Sequence, residues 1–170
     1  DISLVLGAKG LFKNEITWDF SSRWARNKLE YHLENSINPT LGVNSPTSFD
    51  PGALTQEEFG INADFTYELE LDSLDNTLYL AAGAEYREET YIITEGDEAS
   101  WAIGPLSDLP IGASGFPGFT PLAASENTKD NIALYFDVET NITDDLLIGL
   151  AARYEDYSDF GSSTTGKFSL

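Results

Sequence analysis

Along most of this chain the apolar residues fall on every second position. Between 132 and 138, Ile132, Leu134, Phe136 and Val138 share one face of an extended segment. Ala133, Tyr135 and Asp137 share the other, a polar side that Glu139 continues. The next segment repeats the arrangement, with Leu146, Ile148, Leu150, Ala152 and Tyr154 alternating with Leu147, Gly149, Ala151, Arg153 and Glu155. Earlier, Leu78, Leu80, Ala82, Ala84 and Tyr86 oppose Tyr79, Ala81, Gly83, Glu85, Arg87 and Glu89. Ile61, Ala63, Phe65, Tyr67, Leu69 and Leu71 oppose Asn62, Asp64, Thr66, Glu68 and Glu70 in the same way. A period of two predicts strands, because successive side chains of a strand point to opposite faces, and no helical period of 3.6 is sustained. The pattern predicts about seven strands of ten residues or more, beyond the five or six usual in soluble sheets. That length suits a tilted strand crossing a bilayer.

The connections between these segments form a second regularity. Lys13-Asn14-Glu15, Asp72 to Asn76 and Asn141 to Asp145 read as short turns. Asn35 to Glu58 and Glu95 to Asp130 read as long loops, rich in Gly, Pro, Ser and Asn and without periodicity. Long loops are uncommon in compact domains unless they carry a function. Short turns at one end and long loops at the other is the layout of an outer-membrane barrel. Trp18 and Trp24 point to one side of their strand, about 20 Å apart at ~3.3 Å per residue, and fit the two edges of an apolar band. A soluble sandwich would also place Trp in its core.

Composition narrows the function. The net charge is −20, from 29 acidic and 9 basic residues, so no nucleic-acid partner is expected: little here could neutralise phosphates. Cys is absent, which removes disulfide frameworks and thiolate metal sites. No run approaches 18 consecutive apolar residues and no signal-peptide order is present. Met is absent and both ends lie in strand-like text, so the chain is expected to be a portion of something longer. Catalysis is not expected. His32 stands alone as a rim residue, no nucleophile elbow or phosphate-cradling glycine loop is present, and in so acidic a chain no carboxylate pair stands out.

The blocks AAGAEYREETY (81 to 91), EGDEASWAIGP (95 to 105), GFPGFTP (115 to 121) and the run from Asp130 to Leu170 occur in that order, after NSPTSFDPGAL (44 to 54) and FGINADFTYEL (59 to 69). Together they resemble the middle barrel portion of TonB-dependent outer-membrane receptors, over essentially the whole chain. The resemblance implies an all-β, antiparallel up-and-down transmembrane β-barrel segment. Residues 1–170 would be part of a larger plugged barrel of about 22 strands in the bacterial outer membrane. It further implies uptake of a scarce ligand such as a ferric siderophore, vitamin B12 or an oligosaccharide, with energy delivered by TonB. The expected partners are outer-membrane lipid, a plug domain and TonB-binding segment outside these residues, and the small-molecule or oligosaccharide ligand.

Two groups of residues are candidates for contact. Glu85, Arg87, Glu89, Arg153 and Glu155 would face the lumen, either as structural ion pairs or against a ligand; such pairs are costly to break but weak proof of function. Tyr91, Trp101, Phe116 and Phe119 offer stacking surfaces in the loops, or a clasp that packs a loop on itself. Glu57-Glu58, Asp97-Glu98, Asp156 and Asp159 are oxygen donors suited to calcium, though no EF-hand spacing occurs; no other cofactor is expected. The final hairpin is expected to turn at SDFGSST, with Gly161 at positive φ. Two rival classes use the same alternation: a soluble secreted carbohydrate-binding β-sandwich, and a passive porin-like channel.

Overall fold

The computed structural model describes residues 1–70, 77–143 and 145–170. It contains seven strands, β1 (Ile2–Leu11), β2 (Thr17–Glu34), β3 (Ser48–Leu69), β4 (Leu78–Thr94), β5 (Ser125–Thr143), β6 (Leu146–Tyr157) and β7 (Gly161–Ser169). A 3₁₀ segment, Pro39–Asn44, lies between β2 and β3, and a single helical turn, α1 (Glu98–Trp101), between β4 and β5. The strands pair in sequence order in one seven-stranded sheet, with β1 and β7 at its ends. The expected turn at Asp72 to Asn76 lies outside the described residues, as does Asp144 of the turn before β6.

Strand length separates what the bilayer requires from what it does not. β2, β3, β4 and β5 hold 18, 22, 17 and 19 residues. About 9–11 suffice to cross hydrocarbon, so each strand is longer than a crossing requires. The residues divide into two compact units. One comprises Ser3–Ala25, Glu58–Glu89 and Lys129–Leu170, and the other Asp1–Ile2, Arg26–Glu57 and Thr90–Thr128.

The first unit is a single layer of sheet. Register pairs Leu134 with Tyr154, Phe136 with Ala152 and Val138 with Leu150, and Leu150 in turn with Phe168. The predicted apolar faces of neighbouring strands therefore coincide. Leu134, Phe136, Leu150 and Phe168 are 53%, 50%, 56% and 60% exposed. A row of this kind on one face is what lipid covers and water does not tolerate. Near the first turn, Phe12, Trp18, Phe20 and Phe65 form a chain of ring contacts with centroids 5.4–6.0 Å apart, which includes Trp18, one of the two Trp residues assigned to a girdle. That turn is closed by Phe12 N–H to Ile16 O at 2.9 Å and by Glu15 N–H to Phe12 O at 3.0 Å. At the other hairpin Gly161 has φ 88°, as expected, and Tyr157 stacks on Phe160 at 4.2 Å. Ser158 exchanges two hydrogen bonds with Asp130, anchoring that turn to β5.

The second unit corrects the predicted loop boundaries. The first long connection ends at Thr47 rather than Glu58, because Ser48–Glu57 is already β3. Phe49, Pro51, Ala53 and Thr55 are buried on one side of that strand, a strict period of two. Pro51-Gly52 falls inside the predicted loop, yet the Pro51 carbonyl accepts from Phe119 N–H at 2.9 Å. Gly52 has φ 110°, and a Cβ on it would collide with the Thr94 carbonyl, so this irregular strand requires glycine. Likewise β5 starts at Ser125 and the second loop ends at Ala124, not Asp130.

Glycine also makes room on the polar face of the first unit. A Cβ on Gly83 would sit 2.5 Å from the ring of Tyr135, whose hydroxyl donates to Asp64. Gly83→Val is expected to displace that ring and destabilise the barrel by about 1–3 kcal/mol. Gly166→Ala, whose added carbon would meet nothing closer than 3.7 Å, is expected to stay within about 0.5 kcal/mol of wild type. Urea unfolding in detergent, followed by tryptophan emission, measures both.

Candidate functional site

The polar face of the first unit gathers its charges into pairs. β2 supplies Arg23, β3 supplies Glu58, β4 supplies Glu85, Arg87 and Glu89, and β5 and β6 supply Lys129, Asn131, Arg153 and Glu155. Arg23 Nε lies 2.8 Å from Glu58 Oε1, as an ion pair rather than an aligned hydrogen bond, and its Nη2 lies 3.9 Å from Glu85. Arg153 Nη2 reaches both Glu85, at 3.3 Å, and Glu155, at 3.0 Å. Lys129 Nζ is 3.0 Å from Glu89. Arg87 Nε donates to the neutral Asn131 Oδ1 at 3.3 Å. All five charges singled out from sequence therefore lie in one cross-strand array. Sequence reading missed the partners Arg23, Glu58, Lys129 and Asn131, although Arg23 shares the parity of its strand's polar side.

The second unit is held by buried polar groups. Asn38, Thr40 and Ser100 are fully buried. Asn38 Nδ2 donates to Ala99 O at 2.9 Å and Ala102 O at 2.8 Å, and its Oδ1 accepts from Thr40 N–H and Thr40 Oγ1 at 3.1 and 2.7 Å. Every donor and acceptor of the amide is satisfied. Thr40 Oγ1 in turn accepts from Gly104 N–H at 2.9 Å. The Ser100 carbonyl accepts from Ala113 N–H at 2.8 Å and Gly118 N–H at 3.0 Å, and a side chain at position 118 would collide with Ser100 Oγ. Asp97 caps α1: one carboxylate oxygen accepts from Ser100 N–H and the other from Asp50 N–H, each at 2.7 Å. None of Asn38, Thr40 or Ser100 stood out in sequence, since isolated polar residues in a Gly/Pro-rich text carry no periodic signal.

The aromatic candidates separate. Phe116 stacks on Tyr31 at 4.5 Å and 22°, and Phe119 meets both rings edge-on at 5.6–6.1 Å. The three rings form one half-buried cluster, in which Tyr31 was not foreseen. Trp101 belongs to α1 and donates its indole N–H to Gly96 O at 3.1 Å. Tyr91 is not in a loop but in β4, with its side chain exposed. The acidic residues proposed for calcium are largely engaged elsewhere: Glu57 pairs with Arg26 at 3.2 Å, Glu58 with Arg23, and both oxygens of Asp97 are occupied. Among the described residues no three Asp, Glu or His side chains converge on a point where a metal would sit.

His32, in β2, lies well beyond the ~9–11 residues that cross hydrocarbon counted from Trp18. Its Nδ1 is 2.6 Å from Asp50 Oδ1 and its Nε2 is 3.5 Å from Glu34. The Asp50 hydrogen bond, with support from Glu34, raises its pKa above 6.5.

Among known proteins, the family model described as TonB dependent receptor-like, beta-barrel matches residues 5–170. No curated protein and no solved structure gives a significant match.

Two outcomes test the second unit. Asn38→Ala leaves the Ala99 carbonyl without its donor and is expected to lower the local opening free energy by about 2–3 kcal/mol, read as faster hydrogen exchange at Gly104 and Leu106. His32, with its pKa raised in the folded state, stabilises fully below its unfolded pKa of about 6.5 and loses that contribution as pH rises through the folded value. Exchange at Asp50 and Asp97, corrected for intrinsic rate, is therefore expected to be slower at about pH 5.5 than at about pH 8.5. Asp50→Asn is expected to abolish the difference.

Proposed function

Because the chain belongs to the TonB dependent receptor-like β-barrel family, a family of bacterial outer-membrane receptors, we propose that it forms part of a receptor that captures a scarce nutrient outside the cell and imports it with energy relayed by TonB. In this reading the outer faces of the first unit's strands meet lipid, its polar faces line the lumen against a plug domain, and the second unit supplies a surface for the ligand.

The observation that carries the reading is the Tyr31–Phe116–Phe119 cluster on a scaffold closed by satisfied buried polar groups. A ligand surface has to be rigid to avoid a large ordering cost on binding. Here rigidity comes from Asn38, Thr40, Asp97 and Ser100, which leaves the half-buried rings able to contact a flat solute such as a sugar, a corrin or a catecholate. A passive channel has no use for such a surface, and a soluble sandwich would bury the apolar strand faces that this sheet leaves uncovered.

Phe116→Ala with Phe119→Ala, in the full-length receptor, is expected to reduce uptake of the nutrient at limiting concentration by about tenfold, as for loss of two interface aromatics. Barrel assembly, read as heat-modifiable migration, is expected to be unchanged. Replacing residues 95–124 by a short linker is expected to abolish uptake. Undiminished uptake in both variants would overturn the reading.

A further inference from the structure

We infer that Arg87 and Asn131 form a recognition point for an oxyanion, the carboxylate or phosphate group of the solute that this receptor carries; the inference rests on the receptor reading above. It starts from what the neighbouring cations do. Arg23, Lys129 and Arg153 each have a carboxylate within 4.0 Å. Among the described residues Arg87 has none, and its one hydrogen bond goes to an uncharged carboxamide. The acids two residues away on either side of Arg87, on the same face of β4, already serve other cations: Glu85 is shared by Arg153 and Arg23, and Glu89 holds Lys129.

Asn131 adds a second, independent sign. It is 2% exposed, and because its Oδ1 accepts from Arg87, its amide orientation is fixed with Nδ2 as a donor. Among the described residues that Nδ2 has no partner. A buried N–H left unmet is unfavourable, and native proteins retain few. A guanidinium without a carboxylate beside an amide without an acceptor is a pair of donors lacking an acceptor. An oxyanion supplies that, to the guanidinium directly and to the amide directly or through one water.

Charge points the same way. Four of the chain's nine Lys and Arg residues, Arg23, Arg87, Lys129 and Arg153, lie in this array with the four carboxylates Glu58, Glu85, Glu89 and Glu155. Those eight side chains sum to zero in a chain of net charge −20, with Asp64, bound to Tyr135, on the same face. An anionic solute is repelled by most of this surface, and Arg87 is where the repulsion is lifted.

The test uses the full-length receptor in detergent, titrated calorimetrically with malonate and inorganic phosphate, and with malonamide as the uncharged counterpart. At least one anion is expected to bind where malonamide does not. Arg87→Gln is expected to weaken that binding by about tenfold or more, and Asn131→Ala by a few-fold. Arg26→Gln, which removes a cation already paired with Glu57, is expected to leave it unchanged. Should Arg87→Gln fail to assemble, Arg87→Lys carries the test, since a point charge keeps attraction but loses the bidentate geometry. Equal binding of malonate and malonamide, or wild-type affinity in the Arg87 variants, would overturn the inference. So would a loss of thermal stability in Arg87→Gln with no change in anion binding, which assigns the cation to packing against another carboxylate of the receptor. Uptake that depends on Phe116 and Phe119 without anion binding sinks this inference alone. Anion binding without any uptake sinks the receptor reading instead.

Discussion

A peptide group that leaves water for hydrocarbon must keep a hydrogen-bond partner, or it costs several kcal/mol. Among the described residues no helix is long and apolar enough to cross a membrane; the other solution is continuous pairing between strands, and the seven strands pair in sequence order. Pairing uses the backbone completely and leaves the side chains to divide between two faces. One face, carrying Leu134, Phe136, Leu150 and Phe168, gains from lipid what a soluble protein gains from a core. The first unit accordingly has almost no interior of its own: Ala133 is its one fully buried apolar side chain among the described residues, whereas Phe49, Ala53 and Ala113 lie in the second.

The opposite face cannot use lipid, and its solution is complementarity of size and charge. Large polar side chains lie across the sheet where a neighbouring strand offers glycine: Tyr135 over Gly83, and Arg23 over Gly60. Arg153 of β6 links to β4 across β5 by meeting Glu85, while it also holds Glu155 on its own strand. Each partly exposed pair contributes modestly. Their joint effect is to fix which strand residues meet, because a register slip of one residue would carry every charge into the apolar face.

How far this was legible in sequence follows from which interactions have a period. The outward rows of β5 and β6 follow from parity alone, and the register of those two strands sets Leu134 beside Tyr154, Phe136 beside Ala152 and Val138 beside Leu150. Parity fails where a residue is chosen for what it lacks. Pro51 and Gly52 look like a loop because one has no N–H and the other no Cβ, yet in β3 the Pro51 carbonyl accepts from Phe119 N–H and the missing Cβ of Gly52 admits the Thr94 carbonyl. The strand's own alternation, Phe49, Pro51, Ala53 and Thr55, was present in the text and outweighed by that punctuation. Asn38 and Ser100 were illegible for a different reason: their partners are backbone carbonyls and amides, which every residue possesses and no sequence marks.

That dependence on backbone partners also sorts the aromatic candidates. In a loop unit closed by an apolar clasp, each ring would be spent on holding the fold, and losing one would open the unit. Here the closing interactions are those of Asn38, Thr40, Asp97 and Ser100, while Val43, Ile103 and Leu122 remain exposed. Trp101, tied by its indole N–H to Gly96, belongs to the scaffold. Phe116 and Phe119 sit close to residues whose backbone is already pinned, by Gly118 N–H on Ser100 and Phe119 N–H on Pro51. A ring on a pinned backbone keeps its place whether or not it is needed for stability, and that is the condition under which a side chain is free to be selected for what it touches.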